Sequence, residues 1–228
     1  MTRCRVSLGT EMKRIVVFLL TLVLFLSACG SETHTFVQSE KGGYLDEDTE
    51  ILYRALDSAY EAGRAGNEVG RFTVEEHNYI NVFYAIPDMD PTLFLTDDYG
   101  DVYYAGTEEL DASRWDIDTV LICRLVGELS EVKGRFDAQN RADLVSAVHE
   151  AWFAGEDLGS EVFLLETAVA CYPVKMGCAA YPNLYYAIEL RVTASGSVYL
   201  TDKYGKRVVL PDVALVEELC EVVGYELH

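Results

Sequence analysis

Asn81-Val82-Phe83-Tyr84-Ala85-Ile86, followed by Leu95-Thr96-Asp97-Asp98-Tyr99-Gly100, returns in the same order further along the chain. The second occurrence reads Asn183-Leu184-Tyr185-Tyr186-Ala187-Ile188, then Leu200-Thr201-Asp202-Lys203-Tyr204-Gly205. The first segments lie 102 positions apart (81 to 183) and the second 105 (95 to 200). Ordered self-similarity of this kind is the mark of a duplicated structural unit. Within each copy the β-branched and aromatic residues read as strands. The Asp and Gly at fixed places read as a hairpin turn, Asp for local backbone hydrogen bonds and Gly for positive φ.

Working outward, Thr49–Ala62 carries Leu52, Ala55, Leu56 and Ala59 at helical spacing, with Gly63 as a stop. Asp143–Ala154, stopped by Gly155, matches it at an offset of 92. Asp46, Glu47 and Asp48 ahead of the first helix suit a helix N-terminus better than a metal site. Strands are expected over Arg71–Glu76, Ile80–Ile86, Glu161–Ala170 and Leu184–Thr193, with a hairpin closing each set. Ile122-Cys123-Arg124-Leu125-Val126-Gly127 is echoed by Leu219-Cys220-Glu221-Val222-Val223-Gly224 at an offset of 97, as a final helix in each copy. The expected fold class is therefore α+β, with two tandem related lobes over residues 47–135 and 136–228. Each lobe would be a helix, an antiparallel sheet and a closing helix.

The N-terminal region carries a different signal. Met12-Lys13-Arg14 precedes an almost wholly apolar run from Ile15 to Leu26, broken by Thr21. The run has the length of a signal-peptide core and falls short of the roughly 20 residues of a spanning helix. It ends in Leu26-Ser27-Ala28-Cys29-Gly30, which resembles the lipobox of bacterial lipoproteins. The resemblance covers residues 12–30. It implies removal of residues 1–28, diacylglyceryl transfer to the Cys29 thiol, and a protein held by lipid outside the cytoplasm. Gly30–Gly43 is polar and reads as a flexible tether, with the folded body starting after residue 46. Met12 is read as the true start.

The 228 residues carry 18 basic and 38 acidic side chains, a formal charge of −20. Residues 1–28 hold four of the basic and one of the acidic, so the remainder stands at −23. A phosphate backbone needs a basic surface, so nucleic acid is excluded as a partner. Membrane contact would come from the lipid alone. Partners are expected among envelope proteins or glycans.

No catalytic signature emerges and no cofactor is expected. His149-Glu150 begins like a zinc-protease helix, but position 153 is Phe where the second His would stand. His77 has no partner at ligand spacing. Asp97, Asp98 and Asp101 could suggest a calcium loop, yet the second copy has Asp202, Lys203 and Lys206 there. Cys171 and Cys178 bracket a segment they could clip shut as a disulfide, as suits an exported protein. Cys123 and Cys220 either bridge at a pseudo-twofold axis or are two buried small hydrophobes.

Features found in one copy only are the better functional candidates. They are the Cys171–Cys178 loop with Tyr172, Lys175, Met176 and Tyr181, and the links Pro87–Pro91 and Ala105–Trp115. These point to non-catalytic binding or assembly at the envelope, through that loop or a cleft between lobes. An inhibitor or immunity-type lipoprotein with an acidic concave face is one alternative. A carboxylate-dependent envelope hydrolase, needing a deep pocket and a carboxylate with raised pKa, is another.

Overall fold

A computed structural model describes residues 33–126, 129–159, 168–210 and 212–225. Residues 12–30, expected to carry an export signal ending at Cys29, lie outside the described residues. No helix among the described residues is long and apolar enough to cross a membrane.

The first part of the chain closes on itself. Strands β1 (His34–Gln38), β2 (Tyr44–Asp46) and β3 (Leu52–Ala55) are followed by a three-residue strand, β4 (Tyr60–Ala62), that leaves the group. Then come β5 (Glu68–Val74), β6 (Tyr79–Ala85), β7 (Phe94–Thr96) and β8 (Val102–Tyr104). All except β4 form a closed barrel in the order β1-β2-β3-β8-β7-β6-β5. Its seam is the parallel pairing of β1 with β5, His34 opposite Gly70 and Phe36 opposite Phe72. Alternate residues point inward, as the period of two requires. Phe36, Tyr53, Phe83, Leu95 and Tyr103 are buried together in the barrel interior. Phe36 and Phe83 have ring centroids 4.6 Å apart, and Phe83 and Tyr103 5.1 Å. The barrel is therefore packed with rings.

The second sheet runs β10 (Leu129–Asp137), β9 (Thr119–Val126), β11 (Ala168–Gly177), β12 (Leu184–Thr193), β13 (Val198–Thr201), β14 (Arg207–Val209). Helices α1 (Ala142–Ala154) and α2 (Val213–Val222) cover one face. Leu144, Val148 and Trp152 of α1 and Leu219 of α2 share a core with Ile122, Met176, Leu190 and Leu200 of the strands. The two bodies are joined by β4. One of its edges pairs with β12 (Leu184 opposite Ala62, Tyr186 opposite Tyr60), and the other meets the barrel through a bridge between Glu61 and Asp101.

This architecture overturns the expected α+β class. The protein is mostly β, and the first lobe has no α-helix among its described residues. Thr49–Ala62, expected as a helix, contains β3, a turn at Asp57–Tyr60, and β4; Glu50 already has φ +59°. The choice is made by burial. Tyr53 enters the barrel core and Tyr60 the joint, both less than 8% exposed. A fully buried large side chain is worth about 1.5–3 kcal/mol, against helix-propensity differences below ~0.7 kcal/mol per residue. Gly63 is no helix stop; a Cβ there would run into the Tyr185 ring. Ile122–Val126, expected as a closing helix, is the end of β9, whose residues 119–123 are consecutively buried, the pattern of an internal strand. The tether is corrected too: from His34 to Asp46 the chain is barrel wall. The boundary expected between residues 135 and 136 falls inside β10.

The repeat is real only in part. Both hairpin turns share one hydrogen-bond scheme. Asp97 Oδ1 accepts from the Tyr99 and Asp101 amides, and Asp202 Oδ1 accepts from those of Tyr204 and Lys206. Gly100 and Gly205 take φ +84° and +93°. The preceding strands, however, are out of step. Tyr84 pairs with Thr96, whereas Thr201 pairs with Glu189, three residues beyond Tyr186. An odd shift of three exchanges the faces of a strand. Asn81 is thus buried within β6, while its sequence match Asn183 sits before β12 at φ +63°.

Candidate functional site

A cleft of about 490 Å³ opens at the joint between barrel and sheet. Four elements bring a ring to its lining: Tyr60 from β4, Tyr104 from β8, Phe153 from α1 and Tyr186 from β12. Tyr60 and Tyr186 have centroids 5.4 Å apart in an edge-to-face contact, and Phe153 lies 5.4 Å from Tyr186. These spacings suit attractive aromatic packing and make a continuous wall. Tyr104 stacks on Phe94 at 4.8 Å. It reaches the cleft past Gly106, where a Cβ would collide with its phenol.

The remaining wall is the link Ala105–Trp115, present in one half of the chain only. Tyr60 holds it in place. The phenol donates to the Leu110 carbonyl at 2.6 Å and accepts from the Ala112 amide at 3.1 Å. Burial, with the Asp111 and Asp57 charges nearby, pushes this phenol up to about 12 against the bond from Ala112, so it stays protonated and able to donate. Asp111 caps a 3-10 turn, Ala112–Arg114, by accepting from the Ser113 amide. Trp115 seals the link from behind, 5.7 Å from Tyr60 and 5.1 Å from Tyr181.

Charge at the cleft is mostly negative. Asp57, Glu108, Glu109 and Asp111 line it, against the one basic residue Arg54. Partial burial pushes the Asp57 carboxyl up, but the Ala59 amide, the Tyr204 hydroxyl and Lys203 outweigh it and hold the group below its ordinary value. The Ser113 hydroxyl and amide hold Asp111 low as well. Both shifts favour the anion. A general acid needs the opposite direction, so neither residue meets the requirement of the hydrolase reading.

The four residues expected to form a binding loop do not form one. Residues 168–177 are the extended strand β11, so their side chains alternate between faces. Met176 is fully buried in the helix-covered core and Tyr172 packs against it. Lys175 points the other way and pairs with Glu61 of β4 at 2.7 Å. Tyr181 lies beyond the strand, packed on Trp115 and Phe94. Cys171 and Cys178 are free thiols. Seven residues of strand separate their Cα atoms by about 23 Å, far beyond the roughly 7 Å that a disulfide permits. Cys123 and Cys220 are free and buried. Cys220 belongs to the helix-covered core. Cys123 is out of phase with Val120 and Ile122, which face that core, so the two sulfurs lie on opposite faces of the sheet.

One group of potential metal ligands stands apart from the cleft. His34, Asp46 and Asp48 each offer an atom within 4.8 Å of the others. The expected helix-capping role of this acidic stretch is replaced by a turn role. Asp46 Oδ2 accepts from the Thr49 hydroxyl at 2.8 Å and meets His34 Nδ1 at 2.7 Å, and its Oδ1 accepts from the Asp48 amide at 3.0 Å. Both carboxylate oxygens are already engaged, so the group works as a brace of the barrel end.

Sequence reading singled out the Ala105–Trp115 link but missed the four rings. Nothing in the chain signals that residues 60, 104, 153 and 186 meet, because their contact exists only through the pairing of β4 with β12. Comparison with protein-family models, with curated proteins and with solved structures finds no match.

Proposed function

We propose that this is a lipid-anchored, extracytoplasmic binding or assembly protein of the bacterial envelope that receives its ligand in the cleft between barrel and sheet. The observation that carries the binding half is the cleft itself. It is a concavity of about 490 Å³ where two bodies meet, with aromatic walls and a few polar groups at its rim. Sites of that size and lining, at the junction of two bodies, are where small ligands and partner side chains are taken. The anchoring half rests on Leu26-Ser27-Ala28-Cys29. Two acyl chains, at about 0.8 kcal/mol per buried CH2, would hold the protein on a bilayer without help from its acidic surface.

The inhibitor or immunity-type reading keeps some support, because the concave face is the acidic one. Four carboxylates against one guanidinium would meet a basic feature on an exported enzyme.

The test is site-specific photo-cross-linking in intact cells. A photoreactive residue at Glu109, on the cleft wall, should yield a discrete adduct in the membrane fraction. The same residue at Glu47, on the turn at the opposite end of β3, should yield none. Absence of the Glu109 adduct, or equal labelling from both positions, would overturn the binding reading. Failure of Cys29 to incorporate labelled fatty acid would overturn the anchoring.

A further inference from the structure

The binding reading above leaves the ligand's chemistry open, and the inference here rests on that reading. We infer that the cleft takes a small organic ammonium ion, its methyl or methylene groups against Phe153 and Tyr186 and its charge facing Glu108 and Glu109.

Three observations converge. Aromatic faces attract cations through their quadrupole, by about 0.5–1 kcal/mol when exposed and ~2 kcal/mol or more when desolvated. Rings from four separate elements line this cleft. The carboxylates at the rim are not all spent internally. Asp57 is engaged by Lys203 at 3.7 Å and by the Tyr204 hydroxyl at 2.8 Å, and Asp111 by Arg114 at 3.1 Å. Glu108 and Glu109 are exposed and have no ion-pair partner among the described residues. Finally, the chain as a whole stands at −20, so its field draws cations and repels anions on approach. An uncharged apolar ligand would gain nothing from these hydrated carboxylates, and an anion would meet their repulsion. Arg54 is a single positive charge on the same lining and does not reverse the sign.

The volume sets the size. About 490 Å³ suits a small molecule and leaves no room for a folded segment. A lone metal ion is not favoured: among the described residues, the one His/Cys/Asp/Glu group close enough to hold a metal is His34, Asp46 and Asp48, outside the cleft.

The test uses the full-length protein in detergent and isothermal titration calorimetry. Choline is the probe, with 3,3-dimethyl-1-butanol as its uncharged isostere and pentalysine as a basic peptide. Choline is expected to bind at least tenfold more tightly than the isostere, a factor equal to about 1.4 kcal/mol. Raising salt from about 50 to 500 mM should weaken it severalfold, since the Debye length shrinks. Glu108→Gln with Glu109→Gln should weaken choline about fivefold and leave the isostere unchanged. Phe153→Leu should weaken choline about tenfold, with the melting temperature checked in parallel. Equal affinity for choline and the isostere, binding of pentalysine alone, or no binding of choline would each overturn the inference. If choline fails while the Glu109 cross-link persists, the cleft reading stands and only the cation assignment falls. If both fail, both fall.

Discussion

His34 Nδ1 lies 2.7 Å from Asp46 Oδ2, tying the first residue of β1 to the last of β2 at the end of the barrel where the described chain begins. Asp46 is 1% exposed, and a buried carboxylate is tolerated only when its lone pairs are filled. Here they are filled by His34, the Thr49 hydroxyl and the Asp48 amide, so one side chain fixes two strands and the turn after them.

That arrangement gives the fold an acid limit. Burial pushes the Asp46 carboxyl up, but the bonds from His34, Thr49 and Asp48 outweigh it and the group titrates below its ordinary 3.8. A folded-state value below the unfolded one means stability that is present above the unfolded value and lost as pH falls through the folded one. Its contribution should be complete at neutral pH, begin to fall as pH drops toward about 4, and be gone only below the lower folded value. Asp46→Ala strands three partners and should cost about 2–3 kcal/mol at pH 7. The difference from wild type, measured by urea unfolding across pH, should narrow toward pH 3. A constant difference would show that the charge plays no part.

The seam of the barrel depends on one missing side chain. Gly70 sits opposite His34 in the parallel pairing of β1 with β5, and a Cβ there would strike the His34 carbonyl and the Phe36 ring. The carbonyl is backbone and cannot swing away. Gly70→Ala should therefore cost about 3 kcal/mol, near the upper end for overpacking. Thermal unfolding checks it. Gly159→Ala, with open space around its Cβ, separates loss of closure from mere loss of a glycine, although its φ of +69° carries its own strain.

The contrast between the two turns and the joint explains what could be read from sequence. Asp97 and Gly100, like Asp202 and Gly205, act on their own neighbours, and local chemistry of that kind is visible in any short window. The barrel seam, by contrast, joins residues 36 positions apart (34 to 70), and β4 is only three residues long. Thr49–Ala62 misleads for a physical reason. Its small and apolar residues fit a helical stripe, but the side chains with most area to bury, Tyr53 and Tyr60, go to two different cores. The cleft was half legible. The Ala105–Trp115 link stands out because the second half of the chain lacks it. The rings opposite it are ordinary strand and helix residues until β4 carries Tyr60 into the second sheet.

Tyr60 therefore controls the cleft wall. Tyr60→Phe keeps the ring and removes the bonds to the Leu110 carbonyl and from the Ala112 amide. The expected cost is about 1–2 kcal/mol. Amide hydrogen exchange at Ala112 should accelerate tenfold or more, while exchange at Leu95 in the barrel core should change little. Equal acceleration at both would mean a global effect and no specific hold on the link.

The thiols offer a chemical check on the fold. Cys171 is exposed by surface area, yet desolvation around its sulfur and the neighbouring Glu189 push the thiol up to about 11. The thiolate is the reactive form, so alkylation at pH 7 should be slow despite access, and should quicken as pH rises toward 11. Cys123, Cys178 and Cys220 are buried and should react only after unfolding. Mass spectrometry of protein alkylated under native and then denaturing conditions reads both. A Cys171–Cys178 crosslink in that experiment would contradict the extended course of β11.

Anchoring, if it occurs at Cys29, sets which way the cleft faces. His34 lies five positions after Cys29, a span of at most about 18 Å. The start of β1 would therefore lie close to the bilayer. With the barrel upright on the bilayer, β1 would carry the chain away from it for five residues, roughly 16 Å, to the hairpin beside Gly43. Gly43 approaches the backbone of Tyr53 and Arg54, and Arg54 lines the cleft. The cleft would then open on the side of the barrel away from lipid, toward soluble ligands. In vesicles carrying the lipidated protein, a fluorophore at Glu47, level with the start of β1, should be quenched by brominated lipid. One at Lys41, on the hairpin, should be much less so. Equal quenching would mean that the barrel lies on its side, and the cleft would then face along the membrane surface.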